Sequence, residues 1–149
     1  MKLTEITSKS PEQTQKLAEQ ILEGLPENVN VIALQGDLGS GKTTFVQGLA
    51  KTLGVKKKIL SPTFILMRTY NLSESKKFTK LFHLDLYRID NSRGIEGLGL
   101  PEIINGTTNL VVIELAEKMN HNLFKNYLLM KFKYEDDQTR KITLQENYE

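Results

Sequence analysis

Chemistry in this chain is concentrated in one short run, Gly36-Asp37-Leu38-Gly39-Ser40-Gly41-Lys42-Thr43-Thr44. The spacing Gly36-x-x-x-x-Gly41-Lys42-Thr43 is the P-loop, or Walker A, pattern. Its business is phosphate binding. Successive backbone N–H groups curl around a β-phosphate, which requires dihedrals and a closeness of approach that glycine permits. The helix that follows turns its first N–H groups toward the same anion. Lys42 reaches the β- and γ-phosphates, and the Thr43 hydroxyl ligates Mg²⁺. At ordinary composition a chain of this size matches the pattern by chance about 0.5% of the time. The bland alternative, a glycine-rich turn without a ligand, is weakened by context: the run follows a buried-strand pattern and opens a helical one.

A P-loop site needs a second acid near the metal, at the end of a neighbouring buried strand. Two residues qualify. Glu114 follows four aliphatic residues, Leu110-Val111-Val112-Ile113, and Asp85 ends Leu81-Phe82-His83-Leu84. The competing readings are a solvent-facing carboxylate for Glu114 and a salt bridge to Arg88 for Asp85. Ser61-Pro62-Thr63 comes just after the P-loop helix, where nucleotide switches offer a threonine to the metal or γ-phosphate; alone it is equally a turn entering a strand. His83 reads as a structural strand residue rather than a catalytic base. The only histidines are His83 and His121, which argues against a multi-histidine metal site, and the absence of cysteine excludes thiolate nucleophiles, disulfides and iron–sulfur clusters.

The elements that must position these groups follow from patterning. Lys2 to Ile6 reads as a short strand. Ser10-Pro11-Glu12-Gln13 starts a helix, with Ser10 as N-cap, Pro11 first and Gln13 at the capping-box position. Leu17, Ala18, Ile21 and Leu22 form its apolar face, and Gly24 and Pro26 end it. Val31-Ile32-Ala33-Leu34 suits a strand buried on both faces. Phe45, Leu49, Ala50 and Leu53 keep helical spacing up to Gly54. Phe64 to Leu72 and Phe78 to Tyr87 read as an antiparallel hairpin, Pro101 to Ile104 as one helical turn, and Tyr127 to Tyr134 with Lys141 to Leu144 as a second hairpin. Gly94 to Gly99 is a glycine-rich, flexible stretch. The order implies one α/β domain over residues 1–149, a P-loop NTPase-like mixed sheet flanked by helices with additional antiparallel strands.

With 39% hydrophobic and 26% charged residues, the 149-residue chain has material for one core, and its net charge of +2 makes no case for nucleic-acid or membrane binding. Lys56-Lys57-Lys58 reads as a solvated basic loop, with tRNA contact as the alternative. The N-terminus lacks the apolar stretch of a signal peptide and no run is long enough to span a membrane, so a cytoplasmic location is expected. There is no guanine-reading Asn/Thr-Lys-x-Asp motif, which favours ATP.

Taken together, the P-loop through Phe45, Ser61-Pro62-Thr63-Phe64, His83-Leu84-Asp85-Leu86-Tyr87-Arg88 and Val112-Ile113-Glu114 resemble the TsaE (YjeE) family, the bacterial ATPase of tRNA threonylcarbamoyladenosine biosynthesis. The resemblance runs in order from about Ser10 to Lys118. It implies a Mg²⁺-dependent ATPase that works with TsaD and TsaB, which modify the adenosine beside the anticodon of certain tRNAs, and that resets or cycles their complex. Carried over by position, Gly36 to Thr44 bind nucleotide, with Lys42 on phosphate. Thr43 and Glu114 hold Mg²⁺, Asp85 assists hydrolysis, and Thr63 lies near the γ-phosphate. The nucleoside is expected near Ser10 and Thr14, with Arg140 close by. The family usually has tryptophan after the glutamate, and here Leu115 stands there. From the residues alone, two other classes compete: a small-molecule kinase with Asn91 to Leu100 as its lid, and a nucleotide-sensing module without useful hydrolysis.

Overall fold

Lys2–Ser8 forms the first strand, β1, and hands over to helix α1, Pro11–Gly24. The computed structural model describes residues 2–37, 39–57, 59, 67–73, 75, 77–86, 99–115 and 124–148. Ser10 caps α1: its hydroxyl accepts the Gln13 N–H at 3.1 Å, while Gln13 Oε1 accepts the Lys9 N–H at 2.7 Å. The reciprocal pair therefore reaches one residue further back than a standard capping box. Strand β2, Val31–Gln35, leads into the glycine-rich loop and helix α2, Lys42–Thr52. Then come β3 (Met67–Asn71), β4 (Lys80–Asp85), the short helix α3 (Leu100–Asn105), β5 (Asn109–Glu114), β6 (Tyr127–Tyr134) and β7 (Arg140–Asn147).

Among the described residues these strands build one sheet in the order β1-β7-β6-β2-β5-β4-β3. Its centre is parallel: β2 runs beside β5 and β6, and β4 beside β5. The margins are antiparallel, β3 on β4 and β7 between β6 and β1. This is the expected mixed α/β architecture with added antiparallel strands. Several boundaries differ from the patterning: the strand expected over Phe78 to Tyr87 is confined to Lys80–Asp85, and the helical turn expected over Pro101 to Ile104 extends to Leu100–Asn105. β7 runs on to Asn147 and β1 to Ser8, because β7 is paired on both sides and backbone hydrogen bonds carry the polar residues Gln145 and Glu146 along. Of the first hairpin, residues 64–66 and 87 lie outside the described residues, as do 94–98 of the glycine-rich stretch.

Alternation along the central strands divides the core. Ile32, Leu34, Leu81, Leu110 and Val112 pack with Phe45, Val46 and Leu49 of α2 and Leu17 and Ala18 of α1. Val31, Ala33, Leu84, Val111 and Ile113 pack on the other face with Leu100 of α3. Leu115 is fully buried in that second cluster, so the position where the resembled family carries an aromatic is here part of the core. The two helices on the first face meet closely. A Cβ on Gly48 of α2 would lie 2.7 Å from the Cα and carbonyl oxygen of Gln15, so no side chain fits there.

Candidate functional site

β2 ends at the buried Gln35, and the chain must then leave the sheet and turn into α2 within six residues. Gly36 makes the turn possible. Its φ is 149°, and a Cβ would come within 2.6 Å of both the Phe132 carbonyl oxygen and the Ser40 hydroxyl. Gly39 and Gly41 also take positive φ, 79° and 107°. The Ser40 N–H closes the loop on the Asp37 carbonyl at 3.1 Å. Asp37 and Gly39 are exposed, whereas Ser40 is buried and its hydroxyl has no hydrogen-bond partner among the described residues. Leu38 lies outside the described residues. Gly41 N-caps α2 without a side chain, so the first N–H groups of the helix are presented by the loop itself. Exposed Thr43 and half-buried Thr44 lie in the first turn.

The acids arrive from the neighbouring strands. Leu34 of β2 is in register with Glu114 of β5, and Glu114 with Asp85 of β4. All three occupy the carboxyl ends of parallel strands, where α/β sheets bind ligands. Parity puts Glu114 on the α2 face, since Val112 and Leu110 belong to that cluster; Asp85 and His83 share it through Leu81. Both carboxylates are buried, each 8% exposed.

Lys42 and Glu114 join the two halves. Lys42 Nζ donates to the Gly36 carbonyl at 2.6 Å and stands 3.6 Å from Glu114 Oε1. The other oxygen, Glu114 Oε2, is 2.9 Å from Nε2 of His83, which is fully buried. Burial pushes the Glu114 carboxyl up. The hydrogen bond and charge of His83, together with Lys42, outweigh burial and hold it below its ordinary value of 4.5. Glu114 is therefore an ionised acceptor, and the His83 nitrogen facing it is the N–H donor.

His83 thus does more than the structural strand role read from sequence. The signal was present in its i, i+2 spacing from Asp85, which places both on one face. Phe132 of β6 lies against Gly36, and its ring is 5.8 Å from that of Phe45. Arg140 sits beside the loop, with its Cγ 3.5 Å from where a Gly41 Cβ would be. Its guanidinium stacks 4.6 Å from the Tyr134 ring centroid and donates to the Thr139 carbonyl at 3.0 Å. Near the expected nucleoside region, Ser10 caps α1 and the Thr14 hydroxyl bonds that of Ser8 at 2.7 Å, so both are engaged locally. Lys56 and Lys57, with Lys51, line a groove at the far end of α2 from the loop. Thr63 and Arg88 lie outside the described residues. Among the described residues no cluster of three acids, histidines or cysteines is arranged to hold a metal, and no helix is long and apolar enough to cross a membrane.

Residues 8–142 match the family model described as threonylcarbamoyl adenosine biosynthesis protein TsaE. Curated relatives carry the name tRNA threonylcarbamoyladenosine biosynthesis protein TsaE. One from Rickettsia conorii is 42% identical over 118 residues, covering 78% of this chain and 63% of the relative. One from Bacillus subtilis is 34% identical over 134 residues, covering 90% and 80%, and one from Rickettsia prowazekii is 34% identical over 144 residues, covering 95% of each. Among solved structures, Bacillus subtilis YdiB superposes with a TM-score of 0.70 at 27% identity, covering 96% of this chain and 84% of that one.

Proposed function

Because the chain belongs to the TsaE family, we propose that it is the Mg²⁺-dependent ATPase subunit of the tRNA threonylcarbamoyladenosine system, hydrolysing ATP to cycle a TsaD–TsaB complex in the cytoplasm. The observation that carries this reading is Lys42, whose ammonium lies between the Gly36 carbonyl and Glu114 and so joins the phosphate loop to the acid strand. In the proposed cycle a nucleotide phosphate takes the ammonium, while the loop amides and the start of α2 hold the β-phosphate.

The donor set suits Mg²⁺: the Thr43 hydroxyl and the ionised Glu114 carboxylate are hard oxygen ligands on neighbouring elements. When bound, the ion would neutralise charge on the β- and γ-phosphates. Asp85, in register beside Glu114, takes the role of orienting the attacking water, and Thr63 that of contacting the γ-phosphate. The work of such a site is positioning and charge stabilisation, since phosphoryl transfer asks little covalent chemistry of the protein. Transfer of the threonylcarbamoyl group is assigned to TsaD, and tRNA is met through the complex.

The test is ATP hydrolysis by the purified chain alone and with TsaD and TsaB. Slow turnover alone, stimulated by the pair and abolished in Lys42→Ala, is expected. No stimulation, with no complex formed, would overturn the proposal and direct attention to phosphate acceptors for a kinase.

A further inference from the structure

His83 occupies a position that packing alone would give to a hydrophobe. It sits mid-strand in β4 between Arg68 of β3 and Val112 of β5 as register partners, and Val112 pairs in turn with Ile32 of β2. It is fully buried, one pleat deeper than Asp85 and Glu114. A buried imidazole in such a row is costly unless both nitrogens are paired. Nε2 is paired with Glu114, but Nδ1 is buried without a hydrogen-bond partner among the described residues. Core packing by itself would be served at lower cost by an aliphatic side chain such as leucine.

We infer that His83 is a positioning residue that fixes the Glu114 carboxylate for the metal–nucleotide site. This rests on the nucleotide-binding reading above. The imidazole holds Oε2 from below at 2.9 Å, and Oε1 is thereby turned to the phosphate edge, 3.6 Å from Lys42. With one oxygen anchored in the sheet, Glu114 stays in place when Lys42 exchanges its carboxylate partner for a phosphate. Without the anchor the carboxylate is free to follow the ammonium or swing to solvent. The arrangement parallels histidine–carboxylate pairs elsewhere, in which a group behind the ligand sets its orientation. It explains why a polar side chain is kept at this depth, beside the aliphatic Val112 and Ile32.

The test separates position from packing. Binding of a fluorescent ADP is measured with and without Mg²⁺, beside the thermal midpoint, for wild type, His83→Leu, His83→Gln, His83→Asn and Glu114→Gln. His83→Leu is expected to remain folded at the assay temperature, yet to lose about 10- to 100-fold of the Mg²⁺-dependent affinity. His83→Gln, whose amide nitrogen can reach where Nε2 stood, should recover most of that loss. His83→Asn, whose amide is too short, should not. Adding His83→Leu to Glu114→Gln should cost nothing further, because the anchored group is already altered. Unchanged Mg²⁺-dependent binding in a folded His83→Leu, equal binding by the Gln and Asn variants, or additive losses in the double variant would overturn the positioning role alone. A wild-type chain that binds no nucleotide with Mg²⁺ would overturn the ATPase reading and this inference together.

Discussion

The two halves of the candidate site are built by different physics. The loop half, from Gly36 to the first turn of α2, is local: one contiguous run supplies its glycines, its lysine and its helix start. The acid half is assembled by the sheet, which brings Glu114 beside Asp85 and within 2.9 Å of a histidine 31 residues earlier. A local device can be read from spacing. A tertiary one depends on which strands become neighbours, and so the His83–Glu114 pair is visible only after folding. The contrast also suggests a division of labour, in which the loop grips phosphate and the sheet holds the charge that receives the metal.

That division can be broken from either side. On the proposed ATPase reading, Lys42→Ala should have the largest effect, lowering ATP turnover by about 100-fold or more, because it would remove the cation proposed to stabilise charge on the transferred phosphate. Steady-state hydrolysis would read it. On the sheet side, Glu114→Gln should weaken Mg²⁺-dependent nucleotide binding by about 10- to 100-fold, whereas Asp85→Asn should leave affinity near wild type and slow turnover by about 100-fold or more. Titration calorimetry beside single-turnover rates separates the two, and an equal loss of Mg²⁺–ATP affinity in both variants would refute the division.

Smaller effects sharpen the comparison by touching only the scaffold. Gly48→Ala places a methyl group 2.7 Å from the Gln15 backbone and should lower stability by about 1–3 kcal/mol, read by denaturant unfolding, with nucleotide affinity retained while the chain is folded. Glu114 also makes a pH prediction. Its folded pKa is lowered, so the stabilisation it contributes is present above the unfolded value near 4.5 and is lost as pH falls through the folded value. Thermal midpoints of Glu114→Gln should therefore decline less steeply than those of wild type as pH is lowered below about 4.5. Ser10→Ala should cost about 1 kcal/mol through the loss of one cap, read by denaturant unfolding.

Much of the fold was legible where the chain speaks locally. The cap at Ser10, the stop at Gly24 and Pro26, and the aliphatic runs of β2 and β5 all lie where period and punctuation place them. Strand ends were less legible at the margins. Gln145 and Glu146 look like turn or tail residues until β7 is seen to be paired on both sides. At the site, the P-loop and the two acids were readable as types and spacings. Their convergence was not, because it depends on β5 inserting between β2 and β4. Arg140 beside Gly41 belongs to the same class: a residue 99 positions away is delivered to the loop by the start of β7.

On the proposed reading, the carboxyl ends of the central strands bind Mg²⁺–ATP through the loop and the acid strand acting together. That reading is tested most directly by titrating ATP into wild type, Lys42→Ala and Glu114→Gln, each with Mg²⁺ and with a chelator. One site that is strengthened by Mg²⁺ is expected in wild type. Lys42→Ala should lose most of its affinity in either condition, and Glu114→Gln should lose chiefly the Mg²⁺-dependent part. Wild-type affinity in the Lys42 variant, or a Glu114 variant as responsive to Mg²⁺ as wild type, would contradict it.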